Sequence, residues 1–258
     1  MPCVRMDRVA FEIFGRPIYW YGILFGLGFL AASFHYGWLG RRQRRDPEFA
    51  TDLILWIMLG TVVGARTAYV LANWDEVTAN GLIGIINVRE GGMVFYGGLI
   101  GASLLVVLFA RRRKVSLLQM GDFAIGGVPI GHALGRIGCL VNGCCFGSET
   151  KCALSVAVEG VNRHPTPLYE AVGNLLIYVL LLAFTLRNPR RGRVLALYLL
   201  TYPVLRFGLE FLRGDDRITF AGLHLAQFVS LALFTTGAVL WYASGRMNIP
   251  SDANPARR

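Results

Sequence analysis

Apolar runs of about 20 residues recur along this chain, and they settle its solvent before any motif is considered. A helix needs about 20 predominantly apolar residues to cross the hydrocarbon core of a bilayer. The 258-residue sequence is 54% hydrophobic and 16% charged, whereas soluble domains carry about 25% charged residues. The runs predict spans near 18–39, 52–72, 93–110, 119–141, 167–186, 194–212 and 223–243. The first run lacks a small-residue cleavage site, so it is expected to stay as a span and not to be removed as a signal peptide. With no linker, low-complexity segment or visible repeat, residues 1–258 read as one polytopic domain. The fold class expected is an all-α integral membrane protein of about seven transmembrane helices with a small extracytoplasmic loop region.

A formal net charge of +10 raises the question of nucleic acid, and the distribution of that charge answers it. The clusters RRQRR (41–45), RRRK (111–114) and RNPRRGR (187–193), with Arg246, Arg257 and Arg258, hold 15 of the 26 Lys and Arg on one side of a seven-span arrangement. The other side holds eight: Arg5, Arg8, Arg16, Arg89, Lys151, Arg163, Arg213 and Arg217. By the positive-inside rule the amino terminus is outside and the carboxy terminus cytoplasmic. Anionic headgroups of the cytoplasmic leaflet account for the basic loops, and no nucleic-acid partner is expected.

An ionisable side chain at the centre of a span costs at least about 2.5–3.5 kcal/mol, so each one needs a reason. The residues concerned are Arg66, Asp122, His132, Arg136, Glu170, Arg206 and Glu210. Asp122 opens the fourth span and reads as its helix cap. His132 reads as a packing histidine, and His35 and His224, near span ends, need no role. Arg136 lies in a run with eight glycines between positions 121 and 147, a density that lets helices or a ligand approach the backbone closely. Tyr202, Arg206 and Glu210 recur every four residues, on one helical face about 12 Å long. That stripe is either an internal ion pair holding helices together or a polar face lining a cavity. Guanidinium groups bind phosphate through a planar fork of donors, and two of them at similar depth suit a phospholipid headgroup. GGMVFYGGLIG (91–101) surrounds an aromatic pair with glycines. RHPTPLYEA (163–171) places His164, Tyr169 and Glu170 at the start of the fifth span.

Taken together these stretches resemble the prolipoprotein diacylglyceryl transferase family. YWYGILFGLGF, GARTAYVL, GGMVFYGGLIG, DFAIGGVPIGHALGRIG, HPTPLYEA, YPVLRFGLEFLR and LAQFVS follow in the family's order. The resemblance implies seven spans with the amino terminus outside, in the bacterial cytoplasmic (inner) membrane. It also implies transfer of a diacylglyceryl group from phosphatidylglycerol to the lipobox cysteine of a prolipoprotein, with glycerol phosphate leaving. The partners implied are phosphatidylglycerol, the prolipoprotein signal peptide and membrane lipids, with no cofactor and no metal. The expected catalytic residues are Arg136 and Arg206 as phosphate clamp, with Tyr96 and Tyr202. The expected substrate-binding residues are Tyr21, Asn142, Glu170, Glu210, Gly97 and Gly98. The readings that compete with it are a diverged membrane transferase with another acceptor and a non-enzymatic phospholipid-binding or transport protein. A transporter would usually show a midplane coupling site or internally repeated broken helices.

The chain departs from the family signature G-R-x-G-N-F-x-N-x-E-x-x-G within GRIGCLVNGCCFG (135–147). Cys139 replaces the first asparagine, Leu140 the phenylalanine and Cys144 the glutamate, and Tyr96 stands where the family usually has histidine. Tyrosine serves as a base only as tyrosinate. Cys139, Cys144, Cys145 and Cys152 map outside the membrane, where disulfides persist. We expect Cys144 or Cys145 to bridge Cys152 and clip the loop. Free packing thiols, a redox or acyl-carrier role and a metal site are the other readings. The metal fits least, because C-x4-CC-x6-C is not a usual zinc spacing and contains no histidine. Cys3 is assigned nothing.

Overall fold

The structure is a computed structural model that describes residues 9–13, 15–79, 81–86, 92–158, 160–214, 219–220 and 222–246. Cys3, Arg5, Arg8, Arg89, Gly91, Arg217, Arg257 and Arg258 lie outside the described residues. In chain order the elements are β1 (Val9–Ile13), β2 (Arg16–Tyr19), α1 (Trp20–Arg42), α2 (Pro47–Ala72), α3 (Trp74–Ala79), α4 (Gly81–Ile86), α5 (Phe95–Arg112), α6 (Leu117–Ile125) and α7 (Val128–Val141). There follow β3 (Val156–Val158), β4 (Val161–Arg163), α8 (Thr166–Leu186), α9 (Arg193–Glu210), β5 (Thr219–Phe220), β6 (Leu223–His224) and α10 (Leu225–Arg246). Among the described residues the strands pair as three antiparallel two-stranded hairpins.

The chain is an all-α integral membrane protein. Among the described residues, six helical segments are long and apolar enough to cross a membrane: α1, α2, α5, residues Leu117–Val141, α8 and α10. The remaining predicted span is α9, 18 residues long, which carries Arg193, Arg206 and Glu210. The predicted span at 119–141 is a broken helix, because Gly126 and Gly127 form a turn and Pro129 restarts the helix as α7. Proline at the first turn forfeits only a donor that has no intrahelical partner anyway. A side chain at Gly126 would meet His35 Nε2 at 2.6 Å, so the break also makes room for that imidazole. His35 is buried, with Nδ1 3.2 Å from the Tyr178 hydroxyl.

Two compact units form, Met1–His35 with Gly121–Arg258, and Tyr36–Met120. In the second unit α2 and α5 pack together through glycines on both helices. A Cβ at Gly101 would stand 2.2 Å from Gly60 O, and one at Gly97 2.3 Å from Ala68 Cβ and 2.5 Å from Gly64 O. Small residues four apart let two backbones approach where no hydrophobic drive between helices exists. Gly98 faces the same helix, with Thr61 O 3.2 Å from its Cβ position. Arg66 has its reason here too. Its guanidinium donates to the carbonyls of Ile85 (2.9 Å), Gly92 (3.0 Å) and Gly84, so it closes the carboxy-terminal end of α4 and holds the approach to α5.

In the first unit α7 packs on α8, α8 on α9 and α9 on α10. Ile177 and Leu181 of α8 with Val194 and Tyr198 of α9 form the core. Helix α1 meets α7 where Gly28 lies 3.0 Å, measured from its Cβ position, from Gly131 O. Asp122 corrects the sequence-based reading. It lies inside α6 and accepts from the backbone N–H of Gly192 (2.5 Å) and Leu195 (2.8 Å). It therefore caps α9, whose own N-cap is a glycine at φ 83° with no side chain to offer.

Replacing Gly101 by valine is expected to cost about 1–3 kcal/mol by overpacking against backbone that cannot retreat, read as a lower thermal unfolding midpoint in detergent. Gly26→Ala, with nothing within 4 Å of its Cβ position, should leave that midpoint unchanged or higher.

Candidate functional site

The polar groups of the first unit gather at one end of its helices. Arg136 lies five residues before the end of α7 and Arg206 four before the end of α9, about 7 Å and 6 Å in at 1.5 Å per residue. Glu170 sits in the second turn of α8, and Tyr21 opens α1. The opposite end of the same helices is basic. There Arg190 donates to Gly245 O at 3.0 Å, and Arg193 lies over the Trp241 ring at 4.6 Å.

Each guanidinium is held by one buried carboxylate. Arg136 Nε stands 3.1 Å from Glu170 Oε2 and 3.3 Å from His132 Nε2, and that imidazole nitrogen is 3.3 Å from Glu170 Oε1. His132 and Arg136 share a face of α7 at i, i+4 spacing, so a single carboxylate from α8 meets both. Arg206 reaches Glu210 Oε2 at 2.7 Å within α9. Glu210 is the last residue of that helix, against the negative end of the macrodipole, where a carboxylate is disfavoured. With its side chain 1% exposed, Glu210 needs Arg206 beside it. Tyr202 lies four residues before Arg206 on α9 and faces His132. Its ring lies 5.4 Å from His132 and stacks on Tyr198 at 5.3 Å, and both arginines act electrostatically on His132. Arg136, Arg206, Tyr202, Glu170 and Glu210, all named from sequence, thus come together. His132 joins them too, against the expectation of a packing role, and its i, i+4 spacing from Arg136 is the sequence signal for it.

The loop after α7 is built from the glycines of GRIGCLVNGCCFG. Cys144 N–H bonds to Cys139 O and Gly143 N–H to Leu140 O, each at 3.1 Å, with Gly143 at φ 73°. This is a Schellman helix stop, which needs a left-handed residue after the cap and brings the next side chain back onto the last turn. Cys144 is that next residue and Cys139 lies on that last turn. Cys145 is itself left-handed, φ 67°, a conformation costly for a residue with a Cβ. Its carbonyl accepts the Thr166 hydroxyl at 2.7 Å, which fixes the loop to the start of α8. Gly147 must be glycine, since a Cβ would stand 2.2 Å from Leu212 O. Gly147 and Ser148 N–H bond to His164 O and Leu212 O, both at 2.8 Å, tying the loop to the ends of α8 and α9.

The result gathers three thiols. The Sγ atoms of Cys139, Cys144 and Cys145 all lie within 4.8 Å of one another, those of Cys144 and Cys145 at 3.2 Å. The expected bridge to Cys152 does not form. That residue is exposed, and all four described cysteines are free. The helix stop turns Cys144 back toward Cys139, away from the outer loop. Hydrogen bonding from the Cys139 thiol draws the Cys145 thiol down to about 5, against the effect of burial and aided by Arg136 and Arg213. Burial and the Cys145 sulfur raise Cys144, while a hydrogen bond from Asn142 opposes them. Tyr21 adjoins this group, with its ring 3.2 Å from the Cβ position of Gly138 and all three thiols acting on its hydroxyl. Tyr96 belongs to the other unit, half exposed with its ring 5.7 Å from Phe95.

The family model described as prolipoprotein diacylglyceryl transferase matches residues 8–243. The chain is 35% identical over 248 residues to the phosphatidylglycerol–prolipoprotein diacylglyceryl transferase of Finegoldia magna, covering 96% of this chain and 99% of that one. It is 37% identical over 241 residues to the protein of that name from Bacillus cereus, covering 89% and 88%. A third relative of that name, from Chromohalobacter salexigens, is 34% identical over 256 residues, with 95% and 94% covered.

Removing Glu170 should leave a buried guanidinium without its counter-charge. Glu170→Ala is expected to lower stability by about 3 kcal/mol, measured by chemical unfolding in detergent, and Glu170→Gln by less.

Proposed function

Because the chain belongs to the prolipoprotein diacylglyceryl transferase family, we propose that the paired arginines of the first unit form the phosphate clamp of that reaction. The activity is lipoprotein maturation in the bacterial inner membrane: phosphatidylglycerol gives its diacylglyceryl group to a prolipoprotein. The acceptor is the thiol of the lipobox cysteine. The thiol gives up its proton, its sulfur attacks the glyceryl carbon, the carbon–oxygen bond to phosphate breaks, and glycerol phosphate leaves with the electron pair. The family match runs across both compact units, which supports treating residues 1–258 as one transferase domain.

The observation that carries the clamp is the matched pair of ion pairs, Arg136 with Glu170 and Arg206 with Glu210, at similar depth at one end of the bundle. A guanidinium held by one carboxylate keeps further N–H donors for a phosphate. Two such groups stabilise the charge that grows on the leaving phosphate, the transition-state interaction that accelerates displacement. Glu210 orients Arg206, while Glu170 orients Arg136 together with His132. Tyr202, Tyr21 and Asn142 position the lipid. Gly97 and Gly98 pack against α2. Tyr96 holds the position where the family usually has histidine. The basic end of the first unit faces the cytoplasm by the positive-inside rule, and the arginine pairs then face outward, where lipoprotein precursors emerge. This orientation goes with seven spans, α9 included, and an external amino terminus.

A bidentate clamp does not tolerate an ammonium in place of the guanidinium fork. Arg136→Lys and Arg206→Lys are each expected to reduce transfer to a lipobox peptide by about 10²-fold or more, with the fold retained by circular dichroism. Full turnover in both folded variants would remove the clamp.

A further inference from the structure

The thiol cluster is the part of the site that neither the clamp nor the family signature explains. Three sulfurs, from the last turn of α7 and the two residues after its Schellman stop, lie within 4.8 Å of one another. Zinc–sulfur bonds of about 2.3 Å set tetrahedral ligands about 3.8 Å apart, so small side-chain rotations bring all three onto one ion. Two features prepare the arrangement. Cys145 has a left-handed backbone, and its sulfur lies 3.2 Å from that of Cys144. The Asn142 side chain hydrogen-bonds the Cys144 sulfur, the kind of outer contact that orients a metal ligand. Among the described residues no fourth Cys, His, Asp or Glu atom joins the group. Structural zinc sites are closed by four protein ligands, while catalytic ones keep the fourth position open.

We propose that Cys139, Cys144 and Cys145 hold a zinc ion whose open fourth position takes the thiol of the acceptor cysteine and presents it as thiolate. The proposal rests on the transferase reading above and supplies what that reading lacks. The nucleophile must be a thiolate, and a coordinated thiol is deprotonated outright. Two of the three ligands, Cys139 and Cys144, are brought together by the Schellman stop itself. Location fits as well. Cys139 is three residues after Arg136 on α7, and both Arg136 and Arg213 act electrostatically on the cluster. Those positive charges offset the net negative charge of zinc with three or four thiolates.

The step balances without an oxidant. Zinc binding releases whatever protons the three ligand thiols still hold, and acceptor binding releases one more to water. The acceptor sulfur then uses a lone pair to form the bond to the glyceryl carbon as the carbon–phosphate oxygen bond breaks. Glycerol phosphate leaves, and the thioether, a poor ligand, dissociates. Zinc is the ion this requires, because it has no redox chemistry and prefers four ligands, whereas copper(I) is satisfied by three thiolates and would leave no place for the acceptor.

The test uses the full chain in detergent, loaded with zinc and desalted. Metal analysis is expected to find about one zinc per chain, lost in Cys139→Ser and Cys145→Ser and kept in Cys152→Ser. The double variant Cys139→Ser/Cys144→Ser should also bind none, with circular dichroism as the guard against simple misfolding. In the cobalt-substituted protein, a lipobox peptide should shift the ligand-field bands, and the same peptide with serine at the acceptor position should not. Chelation should slow transfer on the order of tenfold near pH 7, where a free thiol is only a few per cent ionised, with recovery on zinc addition. The chelated enzyme's kcat/KM should climb with pH through the peptide thiol's titration, while the zinc form stays nearly flat. Transfer by metal-free, chelator-insensitive protein would overturn the proposal and leave the transferase reading standing. So would a Cys144–Cys145 disulfide, bound copper(I) alone, or zinc that ignores the acceptor thiol. Zinc with the cobalt shift but no diacylglyceryl product would uphold the thiol-binding site and overturn the transferase reading.

Discussion

One carboxylate holds the site end of the first unit together. Glu170 is buried in α8 and meets Arg136 and His132 from α7 at 3.1 and 3.3 Å. An unpaired guanidinium at that depth is not tolerable in an apolar surround, so α7 can carry Arg136 only while α8 supplies the counter-charge. The pair on α9 is organised differently. Arg206 and Glu210 are four residues apart, and the order, with the acid at the carboxy-terminal end of the helix, is the less favourable one. Neither arrangement is what stability alone would select. An apolar pair of similar volume commonly does as well or better than a buried ion pair. Retaining two such pairs fits the proposed need for guanidinium donors at the headgroup level.

The glycines have two separate uses. Gly60, Gly64, Gly97 and Gly101 let α2 and α5 touch, and Gly28 and Gly131 do the same for α1 and α7. Gly143 and Gly147 instead shape the loop. The first ends α7 in a Schellman stop and the second allows Leu212 O to come within reach, so the chain folds back over the ends of α8 and α9. The position of the thiols is a consequence of that turn geometry. Cys144 falls next to Cys139 because the motif pairs those two positions, and Cys145 follows because its carbonyl is fixed by Thr166.

Much of this was legible in the sequence. Length and hydropathy located the membrane helices to within a few residues, and the four-residue spacing of Tyr202, Arg206 and Glu210 placed them on one face of α9. What hydropathy could not show was interruption and partnership. The break between α6 and α7 leaves the apolar run intact, and only Gly126, Gly127 and Pro129 mark it. Asp122 looked like a cap for its own helix because sequence gives neighbours along the chain, whereas its partner, the start of α9, is 70 residues away. The bridge to Cys152 failed for a similar reason, since cysteine spacing carries no information about which way a helix stop turns the chain. His132 was discounted although it stands four residues before Arg136, because the carboxylate that joins the two comes from another helix.

The central claim is that this end of the first unit binds a phospholipid phosphate and releases it as the leaving group of a thiol alkylation. Purified protein, phosphatidylglycerol and a lipobox peptide, followed by mass spectrometry of the peptide, test it most directly. The account predicts a diacylglyceryl thioether on the cysteine together with free glycerol phosphate, and neither product from Arg136→Ala. Folded protein that binds phosphatidylglycerol yet leaves the peptide unmodified would contradict it.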